Sequence, residues 1–211
     1  MKRNFPIGTL VLFAILVCVV LVAITVMNNI VPKIPQELAG VLHPAPRPLQ
    51  PFVFKEQTGK LYTQADLVGK WTFLFFGYTY CPDICPTTLT VLSSLTGHLQ
   101  SQPESSKDVQ VVFVSVDPQR DKPELLDKYL SYFHDDFIGI TAGQEKTRVF
   151  ADQFGAMFFK EQELGPDNYL MAHASSIYLV GPGVEIVASF SPPHDPGTIA
   201  SQFQAIRGLG L

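Results

Sequence analysis

The spacing of apolar positions changes character twice along this chain. Ile7 to Met27 (IGTLVLFAILVCVVLVAITVM) is apolar throughout and carries no charge. About 20 such residues cross a hydrocarbon core of roughly 30 Å. The run is longer than the apolar part of a secretory signal peptide and lacks a small-x-small cleavage site, so an uncleaved anchor is expected. From Phe52 onward, short apolar runs alternate with helically spaced ones. Trp71 to Gly77 (WTFLFFG) and Val109 to Asp117 (VQVVFVSVD) read as strands buried on both faces. Leu89, Leu92, Leu95 and Leu99 predict a helix after the first of these, with Pro86 in its first turn, and Leu126, Tyr129, Leu130 and Phe133 predict another. Asp121-Lys122-Pro123-Glu124 reads as the capping-box start of that second helix.

Shorter signals fill the remainder. Phe52 to Phe54 and Leu61-Tyr62, around TGK, predict an entry hairpin, and Phe137 to Ile140 a short strand. A helix bearing Val149, Phe150 and Phe154 should end at Gly155. GPDNYLMA reads as a loop. Ser175 to Val180 and Val184 to Phe190, joined by Gly-Pro-Gly, predict a second hairpin, and a last helix starts near Asp195-Pro196. This order predicts an α/β domain of thioredoxin-like arrangement with a largely parallel sheet.

Composition changes the picture in two places. Pro32, Pro35, Pro44, Pro46, Pro48 and Pro51 crowd the stretch after the anchor, which reads as a semi-rigid polyproline tether. The expected organisation is therefore an N-terminus at 1–6, a transmembrane helix at 7–27, a Pro-rich linker at 28–51 and a folded domain at 52–211. Charge adds orientation. Lys2 and Arg3 precede the apolar run, whereas Lys33 and Glu37 are the first charges after it. The positive-inside rule then keeps the N-terminus in the cytoplasm and exports the rest. Without an Arg/Ser-rich presequence, the expected location is a bacterial inner membrane, single-pass, with the C-terminal domain in the periplasm. The net charge is −4 and no basic cluster occurs, which argues against a nucleic-acid partner.

Two of the three cysteines, Cys81 and Cys85, stand in GYTYCPDICP between a central strand and a helix. In open α/β sheets this strand end is where chemistry collects, and a helix N-terminus favours thiolate over thiol. Their spacing permits a structural disulfide, a redox pair or two ligands of one soft metal. Cys18 lies in the anchor and has no assigned role. Of five histidines, His43 falls in the tether, His98 and His134 near helix ends, and His194 in a turn. His173 immediately precedes the second hairpin, whose entry in a thioredoxin-like fold passes beside the active-site helix. It is the candidate third ligand. Two thiolates and one imidazole form a soft three-coordinate set that selects Cu(I) over zinc.

GYTYCPDICP, VSVDPQRD and NYLMAHASSIYLVGPG, in this order, resemble the SCO/SenC family of membrane-anchored copper chaperones. The resemblance implies a thioredoxin fold that binds copper through Cys81, Cys85 and His173. It also implies an assembly factor rather than an enzyme, one that delivers copper to, or prepares the thiols of, the dinuclear copper site in cytochrome c oxidase subunit II. Another copper carrier or a thioredoxin-like reductase would be a further partner. Asp117 matches an acidic residue typical of the family, against a bland alternative as a strand-end cap. The family usually has an aspartate before the histidine and a hydroxyl residue after it; here Ala172 and Ala174 occupy those places. The competing reading is a membrane-anchored thiol–disulfide oxidoreductase, and a third is a module merely stapled by a disulfide.

Overall fold

The computed structural model describes residues 7–30, 34–101, 106–165 and 168–210. It falls into two compact units, Met1–Gln36 and Glu37–Leu211. In the first, α1 (Ile7–Ile30) is a 24-residue helix with no charged residue, about 36 Å long at 1.5 Å per residue. Among the described residues it is the one helix long and apolar enough to cross a membrane. Lys2, Arg3, Pro32 and Lys33, which carry the orientation and part of the tether expectation, lie outside the described residues.

The second unit opens with β1 (Leu42–Pro48), β2 (Val53–Glu56), β3 (Leu61–Thr63) and β4 (Trp71–Gly77). Next come α2 (Ile84–Gln100), β5 (Val109–Ser115), α3 (Pro123–Ser131), β6 (Ile138–Thr141) and α4 (Gln144–Phe154). The chain ends with β7 (Phe158–Gly165), β8 (Asn168–His173), β9 (Ile177–Val180), β10 (Glu185–Phe190) and α5 (Pro196–Gly208). Eight strands form one sheet in the order β1-β10-β9-β4-β5-β6-β2-β3, and β7-β8 form a separate ribbon.

Every residue of β4 is buried, as its two-sided apolar pattern requires. Alternation sorts its side chains between two helical layers. Trp71 and Phe73 meet Phe203 of α5 at 5.6 and 5.2 Å between ring centroids. Phe76, on the other face, meets Phe154 of α4 at 5.4 Å. Gly155 ends α4 in the left-handed conformation at φ 68°, which glycine adopts without a Cβ clash. Val149 of this helix is exposed, whereas Phe150 and Phe154 are buried.

Several expectations are corrected. The sheet is mixed: only the β4–β5 and β5–β6 pairings are parallel, and the wings are antiparallel. The tether expectation fails for Leu42–Pro48, which pairs with β10 at the sheet's edge, and Leu38 and Leu49 are buried in the core. Proline is tolerated on an edge strand because only one side needs donors. Pro48 lies opposite Glu185, and the next N–H, that of Leu49, reaches Val184 C=O at 3.0 Å. The stretch before His173 is strand β8 rather than a loop. Asp121 does not cap α3: Lys122 holds that position, with Pro123 in the first turn.

Candidate metal centre

Gly77 closes β4, and its missing side chain leaves room for Cys85. A Cβ there would lie 2.7 Å from both Cys85 Sγ and Phe113 Cε2. The chain then turns through Cys81 into α2, whose first amides have no partner within the helix. One of them, the Cys85 N–H, points at Cys81 Sγ over 3.5 Å. Cys81 is half-buried, Cys85 is fully buried, and all three cysteines of the chain are free thiols.

His173 arrives on the last residue of β8. Tyr169, Met171 and His173 alternate onto one face of that strand. Nδ1 of His173 lies 3.0 Å from the Ala174 carbonyl oxygen, which can only accept. The ring proton is therefore on Nδ1, and the Nε2 lone pair faces the sulfurs. Nε2 stands 3.4 Å from Cys85 Sγ and 3.9 Å from Cys81 Sγ. Phe75 and Tyr78 hold the imidazole edge-to-face, each with a centroid separation of 5.8 Å. The Tyr78 hydroxyl in turn accepts the Met171 N–H at 3.2 Å.

The electrostatics separate the two thiols. A hydrogen bond from the Cys85 thiol, then contact with His173 and the backbone N–H groups of Asp83 and Cys85, hold the Cys81 thiol well below its usual range against the opposing cost of burial. Burial, together with the neighbouring Cys81 charge, pushes Cys85 up. The pair is thus a half-exposed thiolate beside a buried thiol. Such a pair can attack a disulfide, or lose its second proton to an arriving metal.

The donor set fits one ion. With metal–sulfur bonds near 2.3 Å and metal–nitrogen bonds near 2.0–2.1 Å, an imidazole and a thiolate on one ion stand at most about 4.4 Å apart. Both nitrogen–sulfur separations fall inside that limit, and the three ligand atoms lie within 4.8 Å of one another. Among the described residues no other cluster of three such groups occurs. His43 sits on β1 at the sheet edge, and His194 Nε2 contacts the Ser175 carbonyl at 2.9 Å. His98 and His134 also stay outside the cluster.

Two acidic residues to which the sequence assigned other roles hold the site together. Asp121, fully buried, accepts the Thr79 N–H at 3.1 Å, the Thr79 hydroxyl at 2.6 Å and the Ser115 hydroxyl at 2.7 Å. Asp117 does more than end a strand: it accepts from Arg120 Nε at 2.5 Å and from the Tyr169 hydroxyl at 2.7 Å. The two-residue period of Tyr169, Met171 and His173 was a legible strand signal, masked by Gly165 and Pro166 just before it. Nothing local in the sequence marks Gly77 or Thr79.

Comparison with known proteins agrees with this geometry. A family model described as SCO1/SenC matches residues 43–207. Protein SCO1 homolog 1 of Arabidopsis thaliana, a mitochondrial protein, is 37% identical over 145 residues, covering 69% of this chain and 42% of that relative. The chain thus spans less than half the length of that plant protein. The crystal structure of Arabidopsis thaliana ScoI with copper bound superposes with a TM-score of 0.69 at 34% identity, covering 75% of this chain and 98% of that one. BsSco, described as a member of the Sco family of cytochrome c oxidase assembly proteins with a disulfide switch, superposes at 0.63 and 28% identity, covering 78% and 96%. A donor set matched to one soft ion, a mixed sheet shared with these structures and a family match over most of the chain lead to one conclusion: this protein belongs to the SCO1/SenC family.

Proposed function

We propose that this chain is a membrane-anchored copper chaperone. Cys81, Cys85 and His173 take up copper as Cu(I) and deliver it to, or prepare the thiols of, the dinuclear copper site in cytochrome c oxidase subunit II. The observation that carries this reading is the convergence of two sulfurs and one Nε2 within 4.8 Å. Soft thiolates with a single imidazole favour Cu(I), and zinc would want a fourth ligand. The chain arrangement is residues 1–6 in the cytoplasm, an anchor at 7–27, and the domain with its lead-in segment in the periplasm of a bacterial inner membrane. Copper titration of the reduced full chain in detergent, under chelator competition, tests the ligand set. His173→Ala should weaken Cu(I) binding by about 10–100-fold, the scale seen even for groups one shell further out. Retention of wild-type affinity by that variant removes the three-ligand site.

The asymmetry of the two thiols favours a second reading, a thiol–disulfide oxidoreductase. Cys81 thiolate would attack a partner's disulfide and release one partner thiolate. Cys85 would then displace the partner from Cys81, leaving an oxidised Cys81–Cys85 pair and a reduced partner. Cys85→Ser should trap the mixed disulfide, and His173→Ala should leave this reaction intact. Transfer of copper to the isolated copper domain of subunit II, without such trapping, decides for the chaperone.

A further inference from the structure

The loop between β5 and α3, Asp117 to Asp121, carries three charged groups that are not candidate ligands, and together they touch both ligand-bearing segments. Asp121 reaches back to Thr79, two residues before Cys81. Asp117 and Arg120 reach across to Tyr169, four residues before His173. Tyr169 is gripped at three points. Its hydroxyl donates to Asp117 at 2.7 Å, its carbonyl accepts from Arg120 Nη1 at 3.0 Å, and its ring lies 3.6 Å from the Arg120 guanidinium carbon. Asp117 fixes Arg120 in turn through Nε.

This grip matters because β7–β8 is a ribbon outside the eight-stranded sheet. A two-stranded ribbon is marginal by itself and takes its place from side-chain contacts. Tyr169 and His173 share one face of β8, about 13 Å apart along the strand, so fixing the first sets the direction in which the second projects. The flanking residues Ala172 and Ala174 offer the imidazole no polar side chain. Its aim then rests on the Ala174 carbonyl, the Phe75 and Tyr78 rings, and the placement of the ribbon itself.

We propose that Arg120 and Tyr169, braced by Asp117, are positioning residues for His173: they hold the ribbon so that Nε2 meets the sulfurs, while the Asp121 carboxylate holds the cysteine loop. The metal part of this inference rests on the proposed copper site. The test compares Tyr169→Phe, which removes one oxygen, and Arg120→Lys, which keeps the charge and loses the planar fork, in the full chain in detergent. Loaded with Cu(II), both variants should lose the histidine nitrogen coupling in the electron paramagnetic spectrum, as His173→Ala does. Both should bind Cu(I) about tenfold more weakly, at the lower end of outer-shell effects, and still bind one ion through the two sulfurs. Phe203→Leu, a core change under β4, should lower the melting temperature and keep the nitrogen coupling. Wild-type coupling and affinity in both Tyr169→Phe and Arg120→Lys overturn the clamp.

The two readings can fail separately. If the wild-type chain binds no copper, the copper site falls, and the clamp is judged in the metal-free protein. Nuclear Overhauser contacts between the His173 ring and the Phe75 and Tyr78 rings should then weaken in both variants. Contacts of wild-type strength overturn the clamp there too.

Discussion

Cys81 and Cys85 differ in chemistry because they differ in burial and in the direction of their hydrogen bonds. The first receives donors from the Cys85 thiol and from the opening amides of α2 and lies against His173; the second keeps its proton inside the core and donates it in a hydrogen bond to the first. A lowered thiol pKa means that the thiolate persists as pH falls. In the reduced, metal-free protein, iodoacetamide should therefore label Cys81 at a nearly constant rate between about pH 5 and 8, with Cys85 unreactive until the protein unfolds. Peptide mapping of the labelled protein checks this; equal labelling of both thiols refutes it. Gly77 carries the complementary steric argument. Gly77→Ala would drive a methyl into Cys85 Sγ and the Phe113 ring, so an overpacking cost of about 1–3 kcal/mol is expected from denaturant melts, together with displacement of the buried sulfur.

At the scale of elements, the loop after β5 shows how a local motif is overruled by tertiary demand. Asp121 followed three residues later by Glu124 has the spelling of a capping box, yet the carboxylate turns away from α3 toward Thr79 and Ser115. Two donors of the cysteine loop and one hydroxyl on β5 converge on it, and a buried polar group without such partners would be costly. Asp121→Ala leaves those donors unpaired. Loss of about 1–3 kcal/mol of stability is expected in a urea melt, with faster exchange of the Thr79 amide. An unchanged melt would return Asp121 to a surface capping role. Asp117, at the other end of the loop, faces Arg120 and Tyr169, so a five-residue loop divides its work between two distant segments.

At the scale of the whole molecule, the folded unit begins earlier than composition suggested. Leu38 and Leu49 are buried, β1 covers the edge of β10, and Gln202 of α5 donates to the Glu37 carbonyl at 2.9 Å. A chain shortened to start at Glu37 should therefore melt like the intact folded unit. One shortened to start at Phe52 uncovers the β10 edge and empties two core positions; burying a leucine is worth about 1.5–3 kcal/mol. It should melt lower and associate through the bared strand. Calorimetry and light scattering on the two shortened chains decide this, and equal melting temperatures would mean that β1 is a loosely held lead-in.

The strands and helices from β2 to α4, the final hairpin and helix, the buried strand β4, the spacing of Cys81 and Cys85 and the candidacy of His173 were legible along the chain; the ribbon β7–β8, read as a loop, was not. What was legible depends on short-range periodicity or on residue types at fixed offsets. The edge strand β1 was not, because proline content reads the same in a tether as in an edge strand whose open side needs no donors. Nor were the roles of Asp121, Arg120 and Tyr169, since hydrogen bonds across 42 or 49 residues leave no spacing signature. The sequence by itself determined which groups exist and which elements carry them. The packed structure decided which groups meet, because the separation between an imidazole and two sulfurs is set by the strands, ribbon and loop that bring distant residues together.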